Sequence, residues 1–196
     1  MLGGMAGHAL IPAILRAAMG FLFSGEFERR GIETSKPVYS LGLHACPAVD
    51  VSFKTRNYVG KAGEGNCIFD KMTARLSVAS TAMALGMMKG SFKEALGYAQ
   101  KRSQRGREIF NWSEVRMMLA NMAIDMKNAE LTVSRAAGLD EAGWDNVSIA
   151  AAVKIQEMAC NLTTDSIQVM GGAGYMKDFG QEKRFRDAKA YRRCSA

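Results

Sequence analysis

Gln168 stands shortly before the glycine pair Gly171-Gly172, at the end of a long apolar-periodic segment. Helices commonly stop at glycine, because only glycine takes the left-handed turn without a Cβ clash. Two adjacent glycines also let another backbone, or the flat edge of a ligand, come close. A glutamine just before that stop can present its amide to such a ligand. The plainer reading of the same residues is a helix cap followed by a tight loop. Much of the basic excess lies in two runs, Lys101–Arg107 and Lys183–Arg193. A solvated helix face is their plainer reading; a site for the phosphates of a cofactor needs only one or two of these charges. Imidazole comes only from His8 and His44, which argues against a histidine metal site.

The elements that must hold these residues are mostly helical. From Asn66 the chain reads as one long helix from about residue 66 to about residue 104. Ile68, Met72, Leu76, Ala79, Met83 and Met87 recur at helical spacing, and Phe92, Ala95, Leu96 and Ala99 continue with a shifted face. Gly86, Gly90 and Gly97 each weaken it by roughly 1 kcal/mol against alanine, and close helix packing is the reason expected for them. Gly106 is expected to end this helix. Asn111, with Glu114 three residues on, has the spacing of a capping box for the next one. Val115, Met118, Leu119, Met122, Met126, Ala129 and Val133 then form an apolar stripe. After a polar connection at Gly138 and Asp140–Asn146, a third helix begins near Val147. It is expected to carry Ile149, Ala152, Val153, Ala159 and Cys160 inward and to stop at Gly171-Gly172. A basic helix, about Gln181 to Arg193, closes the chain. Three long antiparallel helices and a shorter fourth imply a helical bundle.

Upstream, Gly20–Ser24 reads as a short strand and Gly31–Pro37 as turn-rich. Ala48–Phe53 alternates apolar and polar like a half-buried strand. Residues 1–19 are unassigned, with a short helix or a ragged start as the alternatives. The fold class is therefore mainly α, an antiparallel helical bundle preceded by a short β segment.

Composition bounds the function. A chain of 196 residues buries one good core, or one domain with an appendage. Its 14 methionines suit adaptable helix packing and its 3 prolines permit long helices. The formal charge of +7 invites a nucleic-acid reading, but no aromatic platform is interleaved with the basic runs, so no nucleic-acid partner is expected. Ala9–Phe23 is apolar but contains Arg16 and Pro12, and no basic cluster precedes it, so no membrane partner is expected. Cys46, Cys67, Cys160 and Cys194 form no CxxC pair, which indicates neither a zinc site nor a redox motif. Dispersed cysteines read as free thiols in a reducing compartment, taken to be the cytoplasm.

The run Asp165-Ser166-Ile167-Gln168-Val169-Met170-Gly171-Gly172-Ala173-Gly174-Tyr175, followed by Arg186-Asp187-Ala188-Lys189, resembles the C-terminal signature of the acyl-CoA dehydrogenase flavoproteins. Tyr98-Ala99-Gln100-Lys101-Arg102-Ser103-Gln104-Arg105-Gly106 is similar to the family's Tyr-Ala-x-x-Arg-x-x-Phe-Gly. Leu119-Ala120-Asn121-Met122 keeps its Leu-Ala-x-Met. The resemblance covers roughly 20–196 and is most specific over 98–191. It divides the chain into an unassigned 1–19, a remnant of the middle β-domain at 20–62 and a C-terminal helical bundle at 63–196.

The resemblance implies FAD as the cofactor, acyl-CoA as the substrate, a homo-oligomer, and an electron-transfer flavoprotein as a candidate partner, in fatty acid metabolism. It implies that Arg102 approaches the FAD pyrophosphate of a neighbouring subunit, work that suits a planar guanidinium. From the residues alone, Arg102 reads as a cation on a helix C-terminal dipole. Ser103 and Gln104 sit where the family has further flavin contacts, and Ser113 stands where it has a glutamine. Gln168, Val169, Met170, Gly171 and Gly172 match the stretch that contacts the adenylate end of FAD. Arg75 resembles the arginine near the acyl-CoA site. Arg105 replaces the family's phenylalanine beside the flavin. Arg186 and Asp187 are expected to pair each with another element.

The family's reaction needs a carboxylate to take the α-proton of the thioester. The resemblance aligns Ser195 with one position that supplies it, and Ala74 with the other. Neither is a base, so no catalytic residue is assigned. A complete family member also has an N-terminal helical domain and a full β-domain. The expected function is therefore the C-terminal part of an FAD-dependent acyl-CoA dehydrogenase, weak in FAD binding and inactive by itself. The alternative is a non-catalytic helical interaction module.

Overall fold

Leu119, Met122 and Ala129 recur at the spacing of one helix face, and all three are buried in a helix running from Ser113 to Ala137. Val115, Met118, Met126 and Val133 pack at the margin of the same core, so the stripe expected on this helix is the one that folds inward. The computed structural model describes residues 8–15, 18–26, 32–46, 48–53, 58–59, 65–138 and 145–194. These fall in two compact units, Met1–Arg75 and Leu76–Ala196.

In the first unit, β1 (His8–Leu15) and β2 (Ala18–Glu26) pair antiparallel, and β5 (Tyr58–Val59) pairs antiparallel with the other edge of β2. Residues 8–15 are thus strand, not the short helix weighed for 1–19. Among the described residues β1 is an edge strand, a place where a proline such as Pro12 is tolerated. The strand expected at Gly20–Ser24 lies within β2. β3 (Ile32–Thr34) and β4 (Val51–Phe53) pair antiparallel, and the Val38–Ala48 bridge continues their contact toward the loop. A three-residue strand, Ile32–Thr34, thus lies within the segment read as turn-rich.

The second unit is built from four long elements. Helix α1 (Gly65–Lys101) begins before it and supplies residues 76–101; α2 is Ser113–Ala137, α3 is Asp145–Met170, and α5 is Gln181–Cys194. A one-turn α4 (Gly172–Tyr175) links α3 to α5. The core joins Ala84, Met88, Ala95 and Ala99 of α1 to Leu119 and Met122 of α2 and Ile155, Ala159 and Leu162 of α3. Burying each large side chain contributes roughly 1.5–3 kcal/mol before entropy is counted.

The inner faces of α1 and α3 differ from the expectation. Ala95 and Ala99 are buried in line with the expected run, but Leu76 and Met83 are 61% and 58% exposed, whereas Thr81, Ala84, Leu85, Met88 and Ser91 turn inward. On α3, Ala152, Ala159 and Cys160 are buried as expected, but Ile149 and Val153 are exposed, and Ile155, Gln156 and Leu162 are buried in their place. Both inner faces are rich in small and hydroxyl residues. Thr163 and Ser166 donate to the carbonyls of Ala159 and Leu162 at 2.8 and 2.9 Å, so these hydroxyls can be buried without an unsatisfied donor.

Of Gly86, Gly90 and Gly97, only Gly90 meets a neighbour: an added Cβ would lie 3.2 Å from Arg184 Nε of α5. Gly86 and Gly97 have open space around them, so close packing does not explain them. The described ion pairs of Arg186 and Asp187 lie within α5. Arg186 Nε donates to Glu182 at 2.7 Å and Lys183 Nζ bonds Asp187, both one turn apart on α5.

Candidate functional site

Two turns and a helix end build the candidate site. α1 ends at Lys101, and the Arg102 amide still donates to the Tyr98 carbonyl at 2.9 Å. β6 (Ser103–Gln104) and β7 (Arg107–Glu108) then form a hairpin. Its two tip residues, Arg105 and Gly106, have φ of 52° and 80°. Positive φ at both central positions matches the right-handed twist of a two-residue hairpin. Gly106 is therefore half of this turn, not the end of α1. The Ile109 amide returns to the Arg102 carbonyl at 2.8 Å and closes the hairpin base.

A single 3-10 turn, Ile109–Asn111, leads to α2. Trp112, not Asn111, is the N-cap, and it makes no side-chain capping bond, so the expected capping box does not form. Glu114 is instead held below the usual carboxylate range, chiefly by its own backbone N–H, then by the Ser113 hydroxyl, with Arg107 adding its charge. The Arg107 guanidinium lies 3.5 Å from the centre of the Trp112 ring, a cation–π contact.

The other wall is the end of α3, which stops at the expected glycine pair. Gly171 takes φ 58° and ψ −135°, a conformation that only glycine adopts without strain. The Gly171 amide donates to the Gln168 carbonyl at 3.2 Å and the Gly174 amide to the Gly171 carbonyl at 3.0 Å. Gly174 is buried, and a Cβ there would sit 2.9 Å from the Ile167 backbone.

Between hairpin and helix end lies an open groove of about 810 Å³. Arg102, Gln104, Gln168, Val169, Met170, Gly171 and Gly172 all line it. The Val169 and Met170 side chains are buried in the core, while the Gln168 amide is exposed. Ser103, Ser113 and Arg75 are exposed but do not line the groove, and Arg75 belongs to the first compact unit. Arg105, Trp112 and Glu114 line it although they were not assigned to a site. The signal available for Arg105 was its position before glycine inside a polar run, which marks a turn tip.

The groove offers guanidinium groups, an exposed amide and a glycine backbone patch. Among the described residues neither Arg102 nor Arg105 has an ion-pair partner. That donor set fits a diphosphate: charged forks for its oxygens, and a surface without side chains for a flat ring. The described residues include no group of three His, Cys, Asp or Glu side chains arranged to hold a metal. Ala74 is buried on α1 as a bare methyl, and Ser195 lies outside the described residues.

The bundle and its groove define a class of helical domain, and comparison with known proteins names it. The family described as "Acyl-CoA dehydrogenase, C-terminal domain" matches residues 71–194. The short-chain specific acyl-CoA dehydrogenase of Clostridium acetobutylicum is 32% identical over 167 residues, covering 82% of this chain and 44% of that protein. The mitochondrial short/branched chain specific acyl-CoA dehydrogenase of Bos taurus is 34% identical, covering 86% and 40%. Butyryl-CoA dehydrogenase from Megasphaera elsdenii shares the fold, with a TM-score of 0.88 at 22% identity over 96% of this chain and 52% of that one. The chain belongs to the acyl-CoA dehydrogenase family. It spans less than half the length of these two curated relatives. Among the described residues, no helix is long and apolar enough to cross a membrane.

Proposed function

We propose that this chain is the C-terminal helical part of an FAD-dependent acyl-CoA dehydrogenase, and that its groove takes the diphosphate and adenylate end of FAD. FAD supplies the hydride acceptor for α,β-dehydrogenation of an acyl-CoA thioester. The observation that carries the reading is Arg102, a cation without a described carboxylate partner, on the same groove as the Gln168 amide and Gly171-Gly172. In this reading Arg102 binds phosphate, Gln168 donates to or accepts from the adenylate, and the glycines admit the ring. Ser103 and Ser113 contribute only if the chain shifts there, since neither lines the groove. Arg75 is the proposed acyl-CoA contact. With a methyl at Ala74, this chain supplies no proton acceptor at that position, so little turnover is expected from it alone. The domain division at 62/63 belongs to the same reading, with 20–62 as a part of the middle β-domain.

Titration of the full chain with FAD and ADP at low salt tests this. Weak, saturable binding is expected, reduced roughly tenfold by Arg102→Ala, because a hydrogen bond to a charged group is lost. No binding at millimolar ligand, or binding indifferent to that substitution, would overturn it.

A second reading, a helical module for self-association, is favoured by one feature. Met117, Ile124 and Leu131 are 63%, 58% and 70% exposed and recur every seven residues on α2. Such a stripe fits an apolar stripe on another helix, here a second copy of the chain. The two readings are compatible. An electron-transfer flavoprotein remains the proposed redox partner. A reducing compartment such as the cytoplasm belongs to the same reading, resting on four dispersed cysteines without a CxxC pair.

A further inference from the structure

Arg105 is an unusual residue for its position. It occupies the first tip position of the hairpin with φ 52°, where asparagine, aspartate or glycine is favoured. Its side chain nevertheless lines the groove together with Arg102. The third arginine of the run, Arg107, is engaged over Trp112 at 3.5 Å. The carboxylate that lines the groove is Glu114, bonded by its own backbone N–H and by the Ser113 hydroxyl and attracted to Arg107. Among the described residues, two guanidiniums therefore lack an ion-pair partner on one groove.

We propose that Arg105 is a second phosphate-binding residue, and that with Arg102 it makes the groove select a nucleoside diphosphate with a free terminal phosphate over a dinucleotide esterified at both ends. This rests on the diphosphate reading of the groove. An esterified diphosphate carries one negative charge on each phosphorus. A free terminal phosphate carries up to a second charge near neutral pH and presents three acceptor oxygens. Two planar forks can share those oxygens, and the added charge rewards the second fork. Both arginines are exposed, so water and salt keep the gain modest.

Calorimetric titration of the full chain with ADP and with FAD, at low and at physiological salt, tests the proposal. ADP is expected to bind roughly three- to fivefold tighter than FAD at low salt, and less so at higher salt. Arg105→Asn removes the charge while keeping a residue that tolerates the left-handed backbone, and it should abolish the preference. Arg105→Lys should keep part of it. Equal affinities in the unmodified chain, or a preference that survives Arg105→Asn, overturns the role of Arg105 and leaves the diphosphate reading standing. Failure of both ligands to bind, or indifference to Arg102→Ala, overturns the diphosphate reading and this inference with it.

Discussion

Gln181 Nε2 donates to Ser91 Oγ at 2.9 Å, and both residues are fully buried. The same amide nitrogen lies 3.5 Å from the Thr163 carbonyl, and Arg184 Nη1 donates to Gln181 Oε1 at 3.3 Å. One side chain at the start of α5 thus donates to acceptors on α1 and α3 and accepts from Arg184 of its own helix. Leaving such groups unpaired costs about 1–3 kcal/mol. Gln181→Leu should destabilise the chain by that amount in urea unfolding. A double-mutant cycle with Ser91→Ala should return a coupling of about 0.5 kcal/mol or more, and additive effects would deny the bond any role.

Gly174 and Gly172 should respond oppositely to alanine. A methyl at Gly174 meets the Ile167 backbone at 2.9 Å, and backbone cannot swing aside. Overpacking of this kind costs about 1–3 kcal/mol. Gly172 has nothing within 4 Å and no positive φ. Thermal melts should therefore drop clearly for Gly174→Ala and little for Gly172→Ala. Nucleotide titration should show the reverse order of specific loss if Gly172 receives a ligand ring.

Asp165 of α3 has its pKa raised above the ordinary 3.8, first by burial and then by the negative charge of Asp125 on α2. A carboxyl whose folded pKa is raised opposes folding when ionised. That penalty is full above the folded pKa and vanishes as pH falls below 3.8. Asp165→Asn should raise the melting temperature at pH 7, with the gain shrinking toward acid. A gain that does not depend on pH would assign the effect to something other than charge.

Glu130 carries the opposite sign. Lys127 and Lys89 bond it at 2.6 and 2.7 Å and lower its pKa from 4.5 to about 2. The stabilisation is full above 4.5 and is lost as pH falls through about 2. Because the carboxylate is exposed to solvent, Glu130→Gln should lower the melting temperature only slightly at pH 7, and high salt should remove the difference.

The stripe Met117, Ile124 and Leu131 predicts association. Sedimentation at micromolar concentration should find a dimer or larger species, and Leu131→Lys should shift it toward monomer. A clean monomer before substitution would refute the role given to that face.

Much of the bundle is legible in the sequence for identifiable reasons. α2 reads correctly because Val115, Met118, Leu119, Met122, Met126, Ala129 and Val133 keep helical spacing on one face, out of step with the exposed Met117, Ile124 and Leu131. α3 ends where expected because Gly171 needs a backbone that other residues avoid. α1 misleads because it carries apolar residues on two faces, and the buried face is the one with alanine, serine and threonine. Periodicity weighted by residue size therefore selects Leu76 and Met83, which are exposed. The i,i+4 spacings of Arg186 with Glu182 and of Asp187 with Lys183 are legible in the sequence, and an ion pair forms at each. At the groove, the resemblance pointed to residues on both walls. It could not reveal the hairpin, whose strands are two residues each and leave no pattern to detect.

That hairpin has a kinetic consequence. Its base is tied by the Arg102–Tyr98 and Ile109–Arg102 backbone bonds, and its tip is fixed by the turn at Arg105-Gly106. The order of these residues is paid for during folding, so an arriving anion has no loop to organise. Association should then be a single bimolecular step, with a rate constant linear in ligand concentration and slowed by added salt. Weakening the turn, rather than either guanidinium, would convert it into a two-phase process limited by hairpin closure.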